Sequence, residues 1–526
     1  MAQKLKQGTK VTTVLRKFGI NESYQLAMYL LDQYRGTVLS CRYAIPRHLT
    51  PSESRPQLAK AVELAVIDTV MRHPMLRVGM AEATSKTPSW VQLESLDLKQ
   101  HINWIYVEGN ENFDKCVQEI FAAKLDERFP DLCIKQPGWW ITILRQGDAP
   151  VMELLLTWNL TQFDAVGAKV FHEDLVEMLN AEHGACERTK PNGDILKLPQ
   201  AAPVLPDPIE GLTSLPVGLR YLARSIWDEI RPPFLSRDAS QAGWCPIRTT
   251  PYKTQYRAFF IEEASLVAVL KLCRKNKTTV TALIHGLALI AFSSHLNSNA
   301  APAFQSSTIV DHRRNLPPAP RGVPWVSYDR AVANYVTSAV HKYDRSLVKR
   351  VRSKLRADTS EKKKMSPSLQ RELWAVSSRS RQEIVSRLDK GVRNDPVGVF
   401  KYVTDWQQTM RDQASKTRQF SWLITNIGVV EGRGSKGSST KSEKPDEATN
   451  GGPGPKGDGE KWLIERAQFG LSAEVPAAAI EFSPVSAAGG GMSVGANWPD
   501  CAVDSKLGER IMADMERWLN ELASQS

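Results

Sequence analysis

Asn159, Gln162 and Asp164 bring amide and carboxyl groups into one short turn between two apolar segments. The run Val151–Trp158 before the turn predicts a buried strand, and the apolar side chains after the turn recur at helical spacing. A carboxyl group buried in such a turn can act as an acid or a base when its pKa is raised. An asparagine can donate a hydrogen bond to a substrate carbonyl, or it can only cap the turn. Asp164 and Asn159 are therefore the first catalytic candidates.

The whole segment 151–179, VMELLLTWNLTQFDAVGAKVFHEDLVEML, resembles the active-site segment of the CoA-dependent acyltransferase superfamily. That superfamily includes fungal alcohol acetyltransferases, plant acyltransferases and the condensation domains of peptide synthetases. Its signature is HHxxxDG, with the second His as the general base. The aligned residues run from Asn159 to Ala165, so Leu160 stands where the catalytic His would be. Leucine cannot accept a proton, and the loss of a positioned general base typically costs ~10²–10⁴ in rate.

Further segments resemble the fungal alcohol acetyltransferase branch, in the same order along the chain. They are LRKFGINESYQLAMYLLDQYRGTVLSCRY at 15–43, RHPMLRVGM at 72–80, TVTALIHGLALIAF at 279–292, WLITNIG at 422–428 and AAIEFSPVSAAGGGMSVGANW at 478–498. The resemblance implies an α/β fold in which two chloramphenicol-acetyltransferase-like domains form a central solvent channel. We expect an N-terminal domain at 1–185, an interdomain crossover at 186–250 and a C-terminal domain at 251–526. Segment 432–460 is of low complexity and is predicted to be a disordered loop of the C-terminal domain.

The resemblance also implies that strand 422–428 faces the channel. Asn426 is then a third catalytic candidate, because an amide can stabilise negative charge that develops on a substrate oxygen. Leu160, Trp422 and Thr425 are expected to contact the substrate. For Trp422 the alternative is packing in the interior of the domain.

Asp164 has two interpretations under this resemblance. In the family the corresponding Asp usually holds the turn through a salt bridge, and the segment DHR resembles a later DxR-type segment of the family, which makes Arg313 a candidate partner. The alternative is that Asp164 acts as an acid or base in place of the missing His. His285, on an apolar helix, and His312 are candidates for substrate contact or for a substitute base. The competing interpretation of both is a hydrogen-bonded core histidine.

Periodicity predicts the elements around these residues. The predicted helices are Glu53–Arg72, Pro216–Ile230, Ala264–Lys275 and Val280–Phe292, and the predicted strands are Trp139–Leu144, Val151–Trp158, Tyr256–Ile261, Ser327–Val336 and Phe420–Ile427.

Composition restricts the partners that we expect. The 526-residue chain carries a net charge of +11, and the positive excess lies mainly in Lys342–Arg393, where a solvated helical face without nucleic-acid binding is expected. Seven scattered cysteines without a CxxC pair argue against a metal site or a disulfide framework and favour a reducing compartment. No apolar run has the length of a membrane span or of a signal peptide. We therefore expect a cytoplasmic monomer with no membrane partner.

Three functional interpretations stay open. The first is a tailoring enzyme of fungal secondary metabolism that has abandoned acyl transfer and favours a cyclisation or cycloaddition by confinement and hydrogen bonding. This enzyme would act on a small-molecule substrate and would need no cofactor. The second is a CoA-dependent O- or N-acyltransferase with a substitute base, which would use acetyl-CoA or another acyl-CoA. The third is a non-catalytic pseudoenzyme that binds a metabolite or a partner.

Overall fold

The computed structural model describes residues 4–7, 10–129, 136–181, 191–230, 238–323, 325, 327–357, 364–432 and 461–525. The predicted disordered loop 432–460 lies outside these ranges, apart from Gly432. The strands are β1 (Lys4–Gln7), β2 (Lys10–Lys17), β3 (Thr37–Ala44), β4 (Val78–Ala81), β5 (Ser89–Gln92), β6 (Ser95–Asp97), β7 (Ile102–Val107), β8 (Trp139–Gln146), β9 (Val151–Trp158), β10 (Ile195–Lys197), β11 (Thr254–Ile261), β12 (Phe304–Asp311), β13 (Val336–Tyr343), β14 (Phe420–Ile424), β15 (Val429–Val430), β16 (Leu463–Leu471), β17 (Ala478–Ala487) and β18 (Met492–Pro499).

The helices complete a mixed α/β architecture. They are α1 (Ile20–Leu30), α2 (Arg55–Arg72), α3 (Leu98–His101), α4 (Phe113–Asp126), α5 (Ala165–Asn180), α6 (Ile209–Leu212), α7 (Leu219–Ile230), α8 (Glu263–Lys275), α9 (Val280–His295), α10 (Arg345–Ala357), α11 (Pro367–Asp389), α12 (Pro396–Phe400), α13 (Trp406–Ala414) and α14 (Ser505–Ala523).

The first domain is built on a five-stranded sheet of order β16-β3-β9-β8-β7. Helices α2 and α5 contact each other and contribute to the large apolar core of this domain. Strand β16 comes from the C-terminal part of the chain and pairs antiparallel with β3. Without it, β3 would present a free edge of unpaired backbone N–H and C=O groups. The expected division of the chain at residue 250 therefore does not separate the two sheets.

The second domain is built on a sheet of order β11-β18-β17-β14-β12-β13, to which β15 adds by pairing with β17. Strand β14 lies parallel to both β12 and β17. Helix α9 is buried on nearly all sides between this sheet and helices α11 and α14. That burial explains why its sequence is apolar all round.

The structure confirms most of the predicted elements to within a few residues, but the predicted strand Ser327–Val336 is wrong. Only a 3₁₀ turn, Tyr328–Arg330, forms there, and the strand begins at Val336. The backbone of the intervening residues is used elsewhere. Ala333 O accepts a hydrogen bond from Asp164 N at 3.1 Å, and Tyr335 N donates to the Asp164 carboxylate at 2.9 Å. These contacts take the place of a β ladder.

Across the described ranges, no single helix is both long and apolar enough to cross a membrane. The bent pair α8 and α9 meets the length and composition criterion only when the two helices are taken together.

Candidate functional site

The turn between β9 and α5 is held by local hydrogen bonds. Asn159 Oδ1 accepts from Thr161 N at 2.8 Å, and Trp158 Nε1 donates to Phe163 O at 2.9 Å. Asp164 caps the helix by accepting a hydrogen bond from Gly167 N at 3.0 Å. An asparagine and an aspartate at these two places are what an Asx turn followed by a helix N-terminus requires.

Asp164 is also clamped by the second domain. Arg313 Nη1 donates to Asp164 Oδ2 at 2.8 Å, and Arg313 Nη2 donates to Oδ1 at 3.0 Å. With Gly167 N and Tyr335 N, each carboxylate oxygen accepts two hydrogen bonds. Burial alone would lower the pKa of Arg313, but the carboxylates of Asp164 and Asp311 outweigh it and raise that pKa. The carboxylate therefore has no free lone pair in its plane with which to take a proton.

Leu160 occupies the turn without offering any group that exchanges protons. Its backbone is fixed from two sides: Leu160 N donates to the Tyr34 hydroxyl at 3.3 Å, and Asn334 Nδ2 donates to Leu160 O at 3.0 Å. Its side chain is 8% exposed and belongs to the core of the first domain. Beside it, Asn159 Nδ2 and Thr161 Oγ1 are buried without a hydrogen-bond partner in the described part of the chain. Asn159 is thus placed with an unused donor, as a substrate contact would require.

His285 lies in the core of the second domain, away from this turn. Trp422 Nε1, which can only donate, bonds to His285 Nδ1 at 3.0 Å, so the neutral ring carries its proton on Nε2 and donates to Thr308 Oγ1 at 2.7 Å. The Thr308 hydroxyl is then free to donate to His341 Nε2 at 2.9 Å. Burial, followed by the neighbouring His341, lowers the pKa of His285 well below its ordinary value. Both ring nitrogens are therefore engaged in a buried network.

His312 is equally enclosed. Its Nε2 lies 2.8 Å from Thr337 Oγ1 and 3.2 Å from Asp395 Oδ2. Burial, followed by the charge of Arg387, lowers the pKa of His312 to about 4. A histidine in this state is a weak base at neutral pH. Its neutral ring donates from Nε2 toward these oxygens, and Nδ1 accepts from Asn315 Nδ2 at 3.3 Å.

The structure corrects the expected orientation of Trp422. Its side chain is fully buried against Phe292, Phe304 and Tyr343, with ring centroids 5.0, 5.8 and 5.2 Å away. It therefore faces the helical layer of the second domain. Thr425 follows the end of β14, but its N–H continues the pairing by donating to Phe482 O at 2.9 Å. Because side chains alternate along paired extended backbone, Thr425 faces the side opposite to Trp422.

The two remaining channel candidates differ in their free groups. Asn426 Nδ2 donates to Thr281 Oγ1 at 2.9 Å, and Asn426 Oδ1 accepts from Gly428 N at 2.8 Å, so its amide is engaged at both ends. Thr425 Oγ1 is buried without a hydrogen-bond partner among the described residues. Of the two, Thr425 is the one that offers an unused polar group to a ligand.

Thr425 belongs to a polar surface that we did not predict. We call it the inner polar face. Strands β14, β17 and β18 turn one side toward the first domain, and on that side lie five side chains that are at least nine-tenths buried and have a polar atom without a hydrogen-bond partner in the described ranges. They are Thr425, Glu481, Ser483, Ser493 and Asn497. The signal in the sequence was a glutamate inside the apolar run AAIEFSPVS.

Glu474 adds a second carboxyl group to this region. Burial raises the pKa of Glu474 from 4.5 to about 7. The pKa of Glu481 is raised well above its ordinary value, by burial first and by Glu474 second. Both carboxylates also contribute, after burial, to raising the pKa of Tyr24. The two acids and Tyr24 are therefore electrostatically coupled to one another.

Within the described ranges, no group of three His, Cys, Asp or Glu side chains is placed to hold a metal ion.

Two fungal proteins are similar to the chain over nearly its whole length. No protein-family profile matches the chain. The chain is 23% identical to the probable alcohol acetyltransferase FCK4 of Fusarium pseudograminearum (strain CS3096), over 97% of this chain and 96% of that protein. It is 20% identical to the probable alcohol acetyltransferase crmB of Aspergillus fumigatus (strain ATCC MYA-4609 / CBS 101355 / FGSC A1100 / Af293), over 96% of this chain and 99% of that protein.

Solved structures show the same fold. The trichothecene 15-O-acetyltransferase TRI3 of Fusarium sporotrichioides aligns with a TM-score of 0.67 at 13% identity, over 99% of this chain and 97% of that chain. The condensation domain of the monacolin K polyketide synthase MokA aligns with a TM-score of 0.52 at 9% identity, over 98% of each chain. The chain therefore has the condensation-domain fold and is similar in sequence to two fungal proteins named as probable alcohol acetyltransferases.

Proposed function

We propose that this chain is a tailoring enzyme of fungal secondary metabolism that uses the acyltransferase scaffold for a reaction other than acyl transfer, such as a cyclisation or cycloaddition. One observation carries the proposal: the turn that resembles the acyltransferase signature has no side chain able to accept a proton. Position 160 is a leucine, and both oxygens of Asp164 are saturated by Arg313 and backbone donors.

The histidines weighed as substitute bases do not compensate. His285 is engaged at both ring nitrogens, and the lowered pKa values of His285 and His312 keep both rings neutral at physiological pH. A pericyclic step needs no general base. Confinement and orientation of a substrate can supply several kcal/mol of the barrier on their own, roughly 7–11 kcal/mol in well-oriented intramolecular cases. The unused Asn159 Nδ2 and Thr425 Oγ1 are donors that could orient a substrate carbonyl.

The test is an assay for acyl transfer. Purified protein is incubated with acetyl-CoA and a panel of alcohols and amines, and the free thiol of CoA is measured. We expect no release above the protein-free background for the unmodified chain. Leu160→His, with Leu160→Met as the matched control, is expected to restore a small release only in the His variant. Robust thiol release by the unmodified protein would overturn the proposal.

A second candidate function is CoA-dependent acyl transfer to an alcohol, with acetyl-CoA or another acyl-CoA as cofactor. It is favoured by the names of the two relatives and by the likeness to a trichothecene 15-O-acetyltransferase. It requires a proton acceptor other than the residue at position 160. The same assay separates the two candidates, because only this one predicts acceptor-dependent thiol release.

A further inference from the structure

Glu481 is buried with little to compensate it. Its side chain is 2% exposed, its Oε1 atom has no hydrogen-bond partner in the described ranges, and its Oε2 atom accepts one long bond of 3.4 Å from Asn497 Nδ2. Burial of an ionised carboxylate without a cation or several donors is strongly unfavourable. The group is therefore expected to keep its proton, with an O–H group that no described residue accepts.

The positive charge that couples to Glu481, on Arg418, is already committed. The Arg418 guanidinium donates to Cys245 O at 3.0 Å, Val475 O at 2.8 Å and Ala478 O at 3.0 Å. These bonds fix the loop that joins β16 to β17. Arg418 therefore anchors the backbone near Glu481 and forms no ion pair with either acid.

The same loop delivers Glu474 to the interior. Val475 N donates to Gln33 O at 2.9 Å, which holds the loop against the corner after α1. That corner also carries Tyr34, whose hydroxyl accepts the hydrogen bond from Leu160 N. The Glu474 side chain is half-buried. The loop that carries Glu474 is thus linked through this corner to the Leu160 turn.

We propose that Glu481, held as a neutral carboxylic acid beside Glu474, donates a hydrogen bond to the carbonyl oxygen of a small, conjugated substrate seated between the two domains. This inference rests on the proposed function and names how its site recognises the substrate. The bond withdraws electron density from the conjugated system and so activates it for cyclisation or cycloaddition, and no proton is transferred. A carboxyl kept neutral by an apolar site is a known way to supply such a donor.

The surroundings of the pair suit this role. Arg418 and the phenols of Tyr24 and Tyr34 are charged or titratable groups that couple electrostatically to one or both acids. The pKa values of both tyrosines are raised, by burial first, so neither phenol ionises near neutral pH. Glu474 is then the group that titrates there, with a pKa of about 7. Ionisation of Glu474 places a negative charge beside Glu481 and holds the proton on Glu481 more firmly.

The experiment uses 4-(dimethylamino)cinnamaldehyde, a conjugated aldehyde whose absorption moves to longer wavelength when its carbonyl oxygen accepts a strong hydrogen bond. We expect the unmodified protein to bind the probe with a red shift. Glu481→Gln keeps a weaker donor and should give a smaller red shift. Glu481→Leu should abolish the shift and weaken the Kd of the probe about tenfold, the loss of roughly one hydrogen bond. Glu153→Gln, a buried strand carboxyl that pairs with Arg42, is the matched control and should behave like the unmodified protein.

Two outcomes would overturn the inference: no red shift with the unmodified protein, or an equal red shift with Glu481→Leu. Release of CoA thiol in the acyl-transfer assay would overturn the proposed function without changing the red shift. The failure of one idea can therefore be told from the failure of the other.

Discussion

Two carboxyl groups in this molecule are buried to nearly the same degree but differ in the hydrogen bonds and charges that compensate them. Asp164, in the first domain, is 1% exposed and accepts four hydrogen bonds, two of them from Arg313. Glu481, in the second domain, is 2% exposed and accepts one long bond from an amide. The first is compensated as a stabilising clamp requires, and the second is left uncompensated.

This difference separates the two roles that a buried acid can have. A saturated carboxylate stabilises the fold and cannot readily exchange protons, whereas an unsaturated one costs stability and is kept where a ligand can use it. In this chain the saturated acid lies in the segment that resembles an acyltransferase signature. The unsaturated acid lies on the inner polar face. We infer that the acid that contacts the substrate is Glu481 of the second domain and not Asp164 of the first.

The largest expected effect comes from Asp164→Ala, which would remove the two-point partner of the buried Arg313 guanidinium and leave it paired with Asp311 alone. We expect the free energy of unfolding to fall by about 3–5 kcal/mol, and by less for Asp164→Asn, which keeps the shape of the side chain. Urea unfolding followed by tryptophan fluorescence measures the change. Loss of turnover in Asp164→Asn with no loss of stability would show that Asp164 is catalytic and would break the comparison.

The next effect is opposite in sign and depends on pH. Burial raises the pKa of Glu474 from 4.5 to about 7. The free energy of unfolding is therefore highest below about pH 4.5, where Glu474 is protonated in both states, and it falls as the pH rises from there through about 7. Glu474→Gln cannot ionise and should escape this loss. We expect the variant to be more stable than the unmodified chain by about 2–3 kcal/mol at about pH 8, with little difference at about pH 5. Parallel stability curves for the two proteins across this range would contradict the assignment.

The smallest effect compares two buried serines. Ser40 Oγ donates to Glu153 at 2.6 Å, whereas Ser483 Oγ has no hydrogen-bond partner in the described ranges. Ser40→Ala should therefore cost about 1 kcal/mol, and Ser483→Ala should be close to neutral or slightly stabilising. Thermal unfolding of the two variants side by side measures this. An equal cost at both positions would mean that the inner polar face is as well satisfied as the rest of the interior.

The sequence predicted what is local. Strand β9, the turn at Asn159 and the helix after Asp164 follow from an apolar run, a polar turn and helical spacing. The same reasoning, aided by the resemblance, paired Asp164 with Arg313. Each of these depends on a few adjacent residues or on one motif.

What depends on the partner domain was not predicted. Trp422 was assigned to the channel because its strand was, but a strand has two faces and a change of one residue in the alternation moves a side chain from one to the other. The Glu481 signal was present as a charged residue in an apolar strand. Which surface this residue faces depends on β16, a strand of the C-terminal half that joins the sheet of the first domain. Periodicity does not predict which sheet a strand joins.

The most direct test is the infrared spectrum of the folded protein at about pH 9, where Glu474 with its pKa of about 7 is ionised, in the region where a protonated carboxyl C=O absorbs apart from ionised carboxylates. We predict a band from a buried protonated acid that disappears in Glu481→Gln and persists unchanged in Asp164→Asn. A band that is lost in Asp164→Asn and kept in Glu481→Gln would contradict the central claim, because it would show that the protonated acid is Asp164.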